Sequence, residues 1–194
     1  VLAAGSLEAR LSNDPIAVNI IGPSIGVENL NRGLSALGWS VIAVMVFMLF
    51  YYMFAGFVAD FALLANGILI FGIMALIDGT FTLPGLAGVV LTMGMAVDAN
   101  VLVFERIREE LRRGRSVMAA IEGGYKRAIS TIVDANLTTL FAALFLYVFG
   151  SGPIKGFAVT LSIGIATSLF TAVMVTRMLV ILRLERRRPR ELVL

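Results

Sequence analysis

The tetrapeptide Val-Asp-Ala-Asn occurs twice in this sequence, as Val97-Asp98-Ala99-Asn100 and as Val133-Asp134-Ala135-Asn136. Each copy sets a carboxyl group and an amide inside a run that is otherwise apolar. A lone ionisable group in hydrocarbon costs several kcal/mol on most scales, roughly 2.5–3.5 on insertion scales and more in simulations. Such a group has a partner, a water-filled cavity or a task. Desolvation penalises the charged form, so the chemistry on offer is proton uptake and release that shifts a helix arrangement. The driving force is adequate, since one charge crossing 100 mV is worth about 2.3 kcal/mol.

Little other chemistry is available. The sequence has no His and no Cys. That removes the usual near-neutral proton carrier, the usual metal ligand and all thiol chemistry. There is no nucleotide-binding loop, no zinc spacing and no nucleophile–base pair, so neither an enzyme nor a cofactor is expected. Of the 194 residues, 59% are hydrophobic and 15% charged. The mean hydropathy is +0.93. Soluble domains sit nearer half apolar and a quarter charged. The chain reads as an all-α polytopic membrane protein.

About five spans are expected, at residues 38–59, 61–77, 85–104, 128–149 and 156–182. Each is about long enough for a hydrocarbon core of roughly 30 Å, the second being near the short limit. Trp39 and Tyr51-Tyr52 suit the two interfaces of the first span. Residues 1–22 are not membrane-like. The β-branched stretch Pro15–Ile21 suits a strand ending at Gly22-Pro23, the remnant of an extramembrane domain. Ser24 can cap a lead-in helix over 25–37, within a lead-in segment at 23–37. The chain begins at Val1 without an initiator Met, as the later part of a longer protein would.

Lys and Arg set the orientation. Seven lie in 105–127 and five in the tail from Arg183 to Arg190, against Arg10, Arg32 and Lys155 on the other side. The positive-inside rule places 105–127 and the basic 184–194 tail in the cytoplasm. The connection near Tyr51 to Asp60 should lie there too, yet it carries no Lys or Arg. Phe104, Ile107, Leu111, Met118, Ile121 and Tyr125 recur at helical spacing. With Gly114 as breaker and Ser116 as cap, 105–127 reads as an amphipathic hairpin on the cytoplasmic face. It serves either surface packing or a partner. The tail suits contact with RNA or anionic lipid, but juxtamembrane topology accounts for it more simply, so no nucleic-acid partner is expected.

The two aspartates should lie at matching depth. Asp98 is seven residues before Glu105, and Asp134 seven after Arg127. That is roughly 10 Å from the charged edge. Asn66, six residues after Asp60, comes to a similar level. Asn100, Asn136, Thr138 and Thr139 complete a polar layer. Asp98 and Asp134 are the proton-coupling candidates. The alternatives are a structural carboxylate bonded to neighbouring helices and, for Asp134, a helix N-terminal carboxylate. Interhelical hydrogen bonding accounts for Asn66, Asn100 and Asn136 as well as a relay would. Arg177 either snorkels to the surface or acts as a counter-charge. Small residues recur at every fourth position from Gly152 to Thr176, centred on Gly156, Thr160, Gly164 and Ser168. Such a face lets another helix approach closely, from this chain or from another subunit.

Several ordered blocks resemble the bacterial SecD family. They are Gly22-Pro23-Ser24-Ile25-Gly26, the run Gly94–Leu102, Glu105–Leu111, Gly114-Arg115-Ser116, Asp134–Thr139 and Ile154–Ala158. The Asp-Ala-Asn of the third span favours SecD over SecF, which has a different pair there. The resemblance implies SecD helices two to six of six, with a large periplasmic domain largely outside this chain. It implies pairing with SecF in an arrangement similar to half of a resistance–nodulation–division transporter. It also implies work beside SecYEG, with YajC and YidC, in proton-driven movement of preproteins across the inner membrane. Asp98 falls on the family's acidic position in helix four and Asp134 on that of helix five. The uncharged Tyr51–Phe54 segment departs from the family's basic loop. Two other readings stay open: half of a proton-coupled efflux transporter of the same superfamily, and a scaffold that only assembles the channel complex.

Overall fold

The computed structural model describes residues 23–187, with side chains over 27–183. The expected strand at 15–21 and the end of the basic tail lie outside the described residues. Everything described is helix or short connection: α1 (Pro23–Leu76), α2 (Leu83–Arg112), α3 (Val117–Phe149), α4 (Pro153–Phe170), a π-helical turn (Thr171–Val175) and α5 (Thr176–Arg187). Four helical stretches among the described residues are long and apolar enough to cross a bilayer: Val27–Leu76, Leu83–Arg112, Val117–Phe149 and Pro153–Arg183.

The first of these, at 50 residues, would be about 75 Å long if straight, more than twice a hydrocarbon core. It is not straight. Met53 has φ 47° and ψ −110°, far from helical values. A Cβ on Gly56 would collide with the Met48 carbonyl. On a straight helix those residues stand about 12 Å apart along the axis. The contacts with α2 then reverse in order. Gly33 lies by Leu86, and Tyr52 packs its ring 6.2 Å from Phe104. Beyond Met53, Gly67 faces Met93, and Phe71 lies 5.2 Å from Phe81. The two arms of α1 therefore run in opposite directions along α2.

The reversal comes earlier than the charge at Asp60 suggested. Hydropathy registers the carboxylate, while the residues that turn the chain, Tyr51–Phe54, are themselves apolar. Asp60 belongs inside the second arm. The amphipathic hairpin also differs from a pair of separate surface helices. No Pro interrupts 85–112 or 117–149, so α2 and α3 run on through it as unbroken helices. Gly114, at φ +79°, makes the turn between them, a conformation that costs a residue with Cβ more than it costs glycine.

Helix ends follow local chemistry. Thr82 caps α2 by accepting from the Gly85 N–H at 3.1 Å, and Pro84 sits in the first turn, where a missing N–H is harmless. Pro153 opens α4 in the same way. α2 is the central helix and α4 its closest neighbour. Their contact uses the small residues of both. A Cβ on Gly88 would lie 2.6 Å from Thr160 Oγ1, one on Gly156 would press Thr82, and one on Gly164 would enter Thr92. Thr160, Gly164, Ser168, Ala172 and Thr176 are all buried. The stripe of small residues thus faces this chain's own α2 over Gly156 to Gly164.

Candidate functional site: an acidic groove between α2 and α3

The polar residues of the expected layer separate into three places. Asp98 projects from α2 into a groove shared with α3, of about 500 Å³. Glu105 on α2 and Thr131, Asn136 and Thr139 on α3 share its wall with Met95, Leu102 and Ile132. Asp98 and Glu105 are two helical turns apart, so one face of α2 carries both, about 10 Å from each other. Thr131, Ile132, Asn136 and Thr139 recur at helical spacing on α3 for the same reason.

Glu105 closes the groove at the charged end. Its Oε1 accepts from Arg108 at 2.8 Å and from the Tyr52 hydroxyl at 3.3 Å. Arg108 lies over the Tyr52 ring at 5.6 Å. The reversal at Met53 is thereby tied to the charged end of α2, although it carries no Lys or Arg of its own. The α3 amide and hydroxyls are held by their own helix. Asn136 donates to Ile132 O at 2.9 Å, and Thr139 lies 3.5 Å from Ala135 O. Asp98 is exposed on the chain's surface, and no ion pair reaches it among the described residues.

Asp134 and Thr138 are exposed on another face of α3, outside the groove. Thr138 bonds back to Asp134 O at 3.4 Å. That face is strongly apolar, with Val133, Leu137, Phe141, Phe145 and Phe149 all exposed. Asn66 and Asn100 are in the interior, at 0% and 1% exposure. Arg177 is exposed on α5.

Two carboxylates escaped the sequence reading. Glu110 is 1% exposed and receives three arginines: Arg113 at 2.9 Å, Arg115 at 2.9 Å and Arg127 at 2.7 Å. The signal was present, since Val103, Ile107 and Glu110 follow one helical stripe whose first two members are fully buried. Asp60 is 4% exposed, and both carboxylate oxygens lack a hydrogen-bond partner. Its position at the edge of a hydropathy window concealed it.

The family model for the C-terminal part of protein export membrane protein SecD/SecF matches residues 6–186. The chain belongs to the SecD/SecF family. Within it, the chain is 55% identical over 180 residues to the protein translocase subunit SecD of Calditerrivibrio nitroreducens, covering 91% of this chain and 34% of that one. It is 55% identical over 181 residues to SecD of Haemophilus influenzae, covering 93% and 29%. The crystal structure of SecDF from Thermus thermophilus, a translocon-associated membrane protein, superposes with a TM-score of 0.84 at 40% identity. It covers 88% of this chain and 24% of that one. The chain thus spans about a third of the SecD relatives it matches. Its helices are those of a SecD/SecF C-terminal membrane region.

Proposed function

We propose that this chain is the membrane domain of a SecD-type export subunit and that Asp98 couples proton movement to preprotein translocation. The observation that carries the reading is the placement of Asp98. It is unpaired, on an apolar-walled groove open to the outside of the chain, with Glu105 two turns away toward the charged end. A carboxyl so placed can be covered by a partner helix and supplied with protons from the charged end. Protonation removes a charge from that interface, and this biases the packing of two subunits.

In this reading the chain crosses the inner membrane five times, α1 supplying two crossings by its reversal at Met53. The arginine-rich ends of α2, α3 and α5 face the cytoplasm. SecF covers the outer face of α3, where Asp134 offers a second carboxyl, and SecYEG with YajC and YidC accepts the assembled pair. Asn136 and Thr139 support the groove. Motion of the bundle passes to the periplasmic domain that precedes it in the full-length relatives, reducing backward slip of the exported chain.

The test is gradient-dependent release of a preprotein from vesicles holding the full-length protein, SecF and SecYEG. Asp98→Asn keeps size and one hydrogen-bonding oxygen but cannot titrate. Loss of the gradient-dependent step in an assembled complex supports the proposal. Unchanged gradient dependence sinks it and leaves a scaffold role. Drug sensitivity on depletion, with no precursor accumulation, would instead favour efflux.

A further inference from the structure

We propose that Asp60 is a second proton-binding site, inside the bundle and separate from the Asp98 groove. Asp60 sits in the second arm of α1, 4% exposed, with neither carboxylate oxygen hydrogen-bonded. Apart from Glu110 Oε2, which is ion-paired to Arg115 at 2.9 Å, unmet polar atoms also occur on Asn66, at both its oxygen and its nitrogen, and on Asn100, at its oxygen. The position of Asn100 follows from the contacts along α2. Tyr52 meets Phe104 and Gly67 meets Met93. Asp60 lies between the first members of those pairs and Asn100 between the second. The stretch of α1 that carries Asp60 therefore faces the stretch of α2 that carries Asn100.

Asp60 alone contributes two unmet acceptors, one on each carboxylate oxygen. An ionised carboxylate only accepts. A neutral carboxylic acid leaves no unpaired charge in an apolar interior.

Among the described residues, no neighbouring charge offers another way to neutralise it. On α2, Glu105 is committed to Arg108 and Tyr52, and Asp98 opens to the groove. α4 carries only Lys155, which lies over Tyr147. The π-helical turn carries no charge. On α5, Arg177 is exposed and Arg183 lies over the Phe54 ring at 4.1 Å. No ion pair to Asp60 occurs among the described residues. The site is also distinct from Asp98. Residues 98 and 100 are about 200° apart around α2, so Asn100 faces the interior while Asp98 faces the groove. The inference does not rest on the role proposed for Asp98.

Infrared spectroscopy of the full-length protein with its SecF partner, in lipid and deuterated buffer at neutral pD, tests this. A protonated carboxyl band is expected that survives Asp98→Asn and is lost in Asp60→Asn. Labelling aspartate with ¹³C should shift the band in the otherwise unsubstituted protein. In labelled Asp60→Glu, which keeps an acid at the site, the band should return to the unlabelled frequency. This last variant keeps the test decisive if Asp60→Asn does not assemble. A band absent from the parent protein, insensitive to labelled aspartate, or unchanged by both Asp60 substitutions would overturn the proposal.

Discussion

Arg127 Nη1 lies 2.7 Å from Glu110 Oε1, joining the first turns of α3 to the last turn of α2. The same carboxylate takes Arg113 from the C-terminal cap of its own helix and Arg115 from the turn. One fully buried acid thus pins both arms of the hairpin and the loop between them. Its three arginines are about half exposed, at 48%, 50% and 48%, so they can retreat to water when it is lost. Glu110→Gln should therefore cost about 1–3 kcal/mol, short of a fully buried pair. A thermal scan of the purified protein in detergent checks this, and an unchanged midpoint would count against the pin.

The close approach of α2 and α4 depends on the absence of a side chain at Gly164. Its Cβ would enter the Thr92 side chain, which is itself fully buried. Gly164→Ala should destabilise by about 1–3 kcal/mol through overpacking. Thr92→Ala in the same protein should restore most of that loss. A double-mutant cycle on thermal stability would measure the coupling; additive effects would mean that the helices do not meet there.

Tyr125 and Thr176 share a buried hydrogen bond of 2.8 Å between α3 and α5. Thr176 also bonds to the Ala172 carbonyl, so its hydroxyl stays satisfied when the phenol is removed. Tyr125→Phe is then expected to cost only about 0.5–1.5 kcal/mol. Thr176→Val should cost more, because it leaves the tyrosine hydroxyl buried without a partner. The reverse order of the two melting temperatures would contradict the assigned contact.

The reversal at Met53 predicts sidedness. The sequence has no native cysteine, so single substitutions can be read cleanly in this region. Cysteines at Tyr51 and Arg115 should react with a membrane-impermeant maleimide from the same side. One at Ser151 should react only from the other. Labelling of positions 51 and 151 from one side would show that the arms of α1 do not form a hairpin in the bilayer.

Depth was legible in the sequence only where the count began at the true charged edge, and azimuth was not. Counting from Glu105 and Arg127 set levels for Asp98 and Asp134, because helical rise is constant. The count for Asn66 began at Asp60, inside the second arm, and Asn66, beside the Gly67 that faces Met93, lies further from the charged end. Which way each side chain points depends on the neighbours around its helix. Asn136 and Thr139 share α3's groove face with Ile132, whereas Asp134 and Thr138, an i,i+4 pair, face elsewhere. The small-residue stripe was legible as a face fit for close approach, but only the packed structure names α2 as its neighbour. The turn at Met53 was legible only as a connection somewhere between Tyr51 and Asp60, marked by the interfacial tyrosines, since no Gly, Pro or charge fixes its place at residue 53. Glu110 was hidden by the charged residues around it, and Asp60 by the habit of reading a charge as a boundary.

The π-helical turn at Thr171–Val175 works as a vernier for the stripe. Four residues of α-helix overshoot a full circle by about 40°, so a pattern repeated every fourth residue creeps steadily around its helix. The i→i+5 winding of a π segment holds more residues per turn and cancels part of that creep. Ala172 and Thr176 therefore stay on the buried side with Ser168, and Thr176 meets Tyr125. Removing one residue from this turn would change the phase of everything after it, sending α5 and its arginines round to a different neighbour while leaving every upstream contact in place.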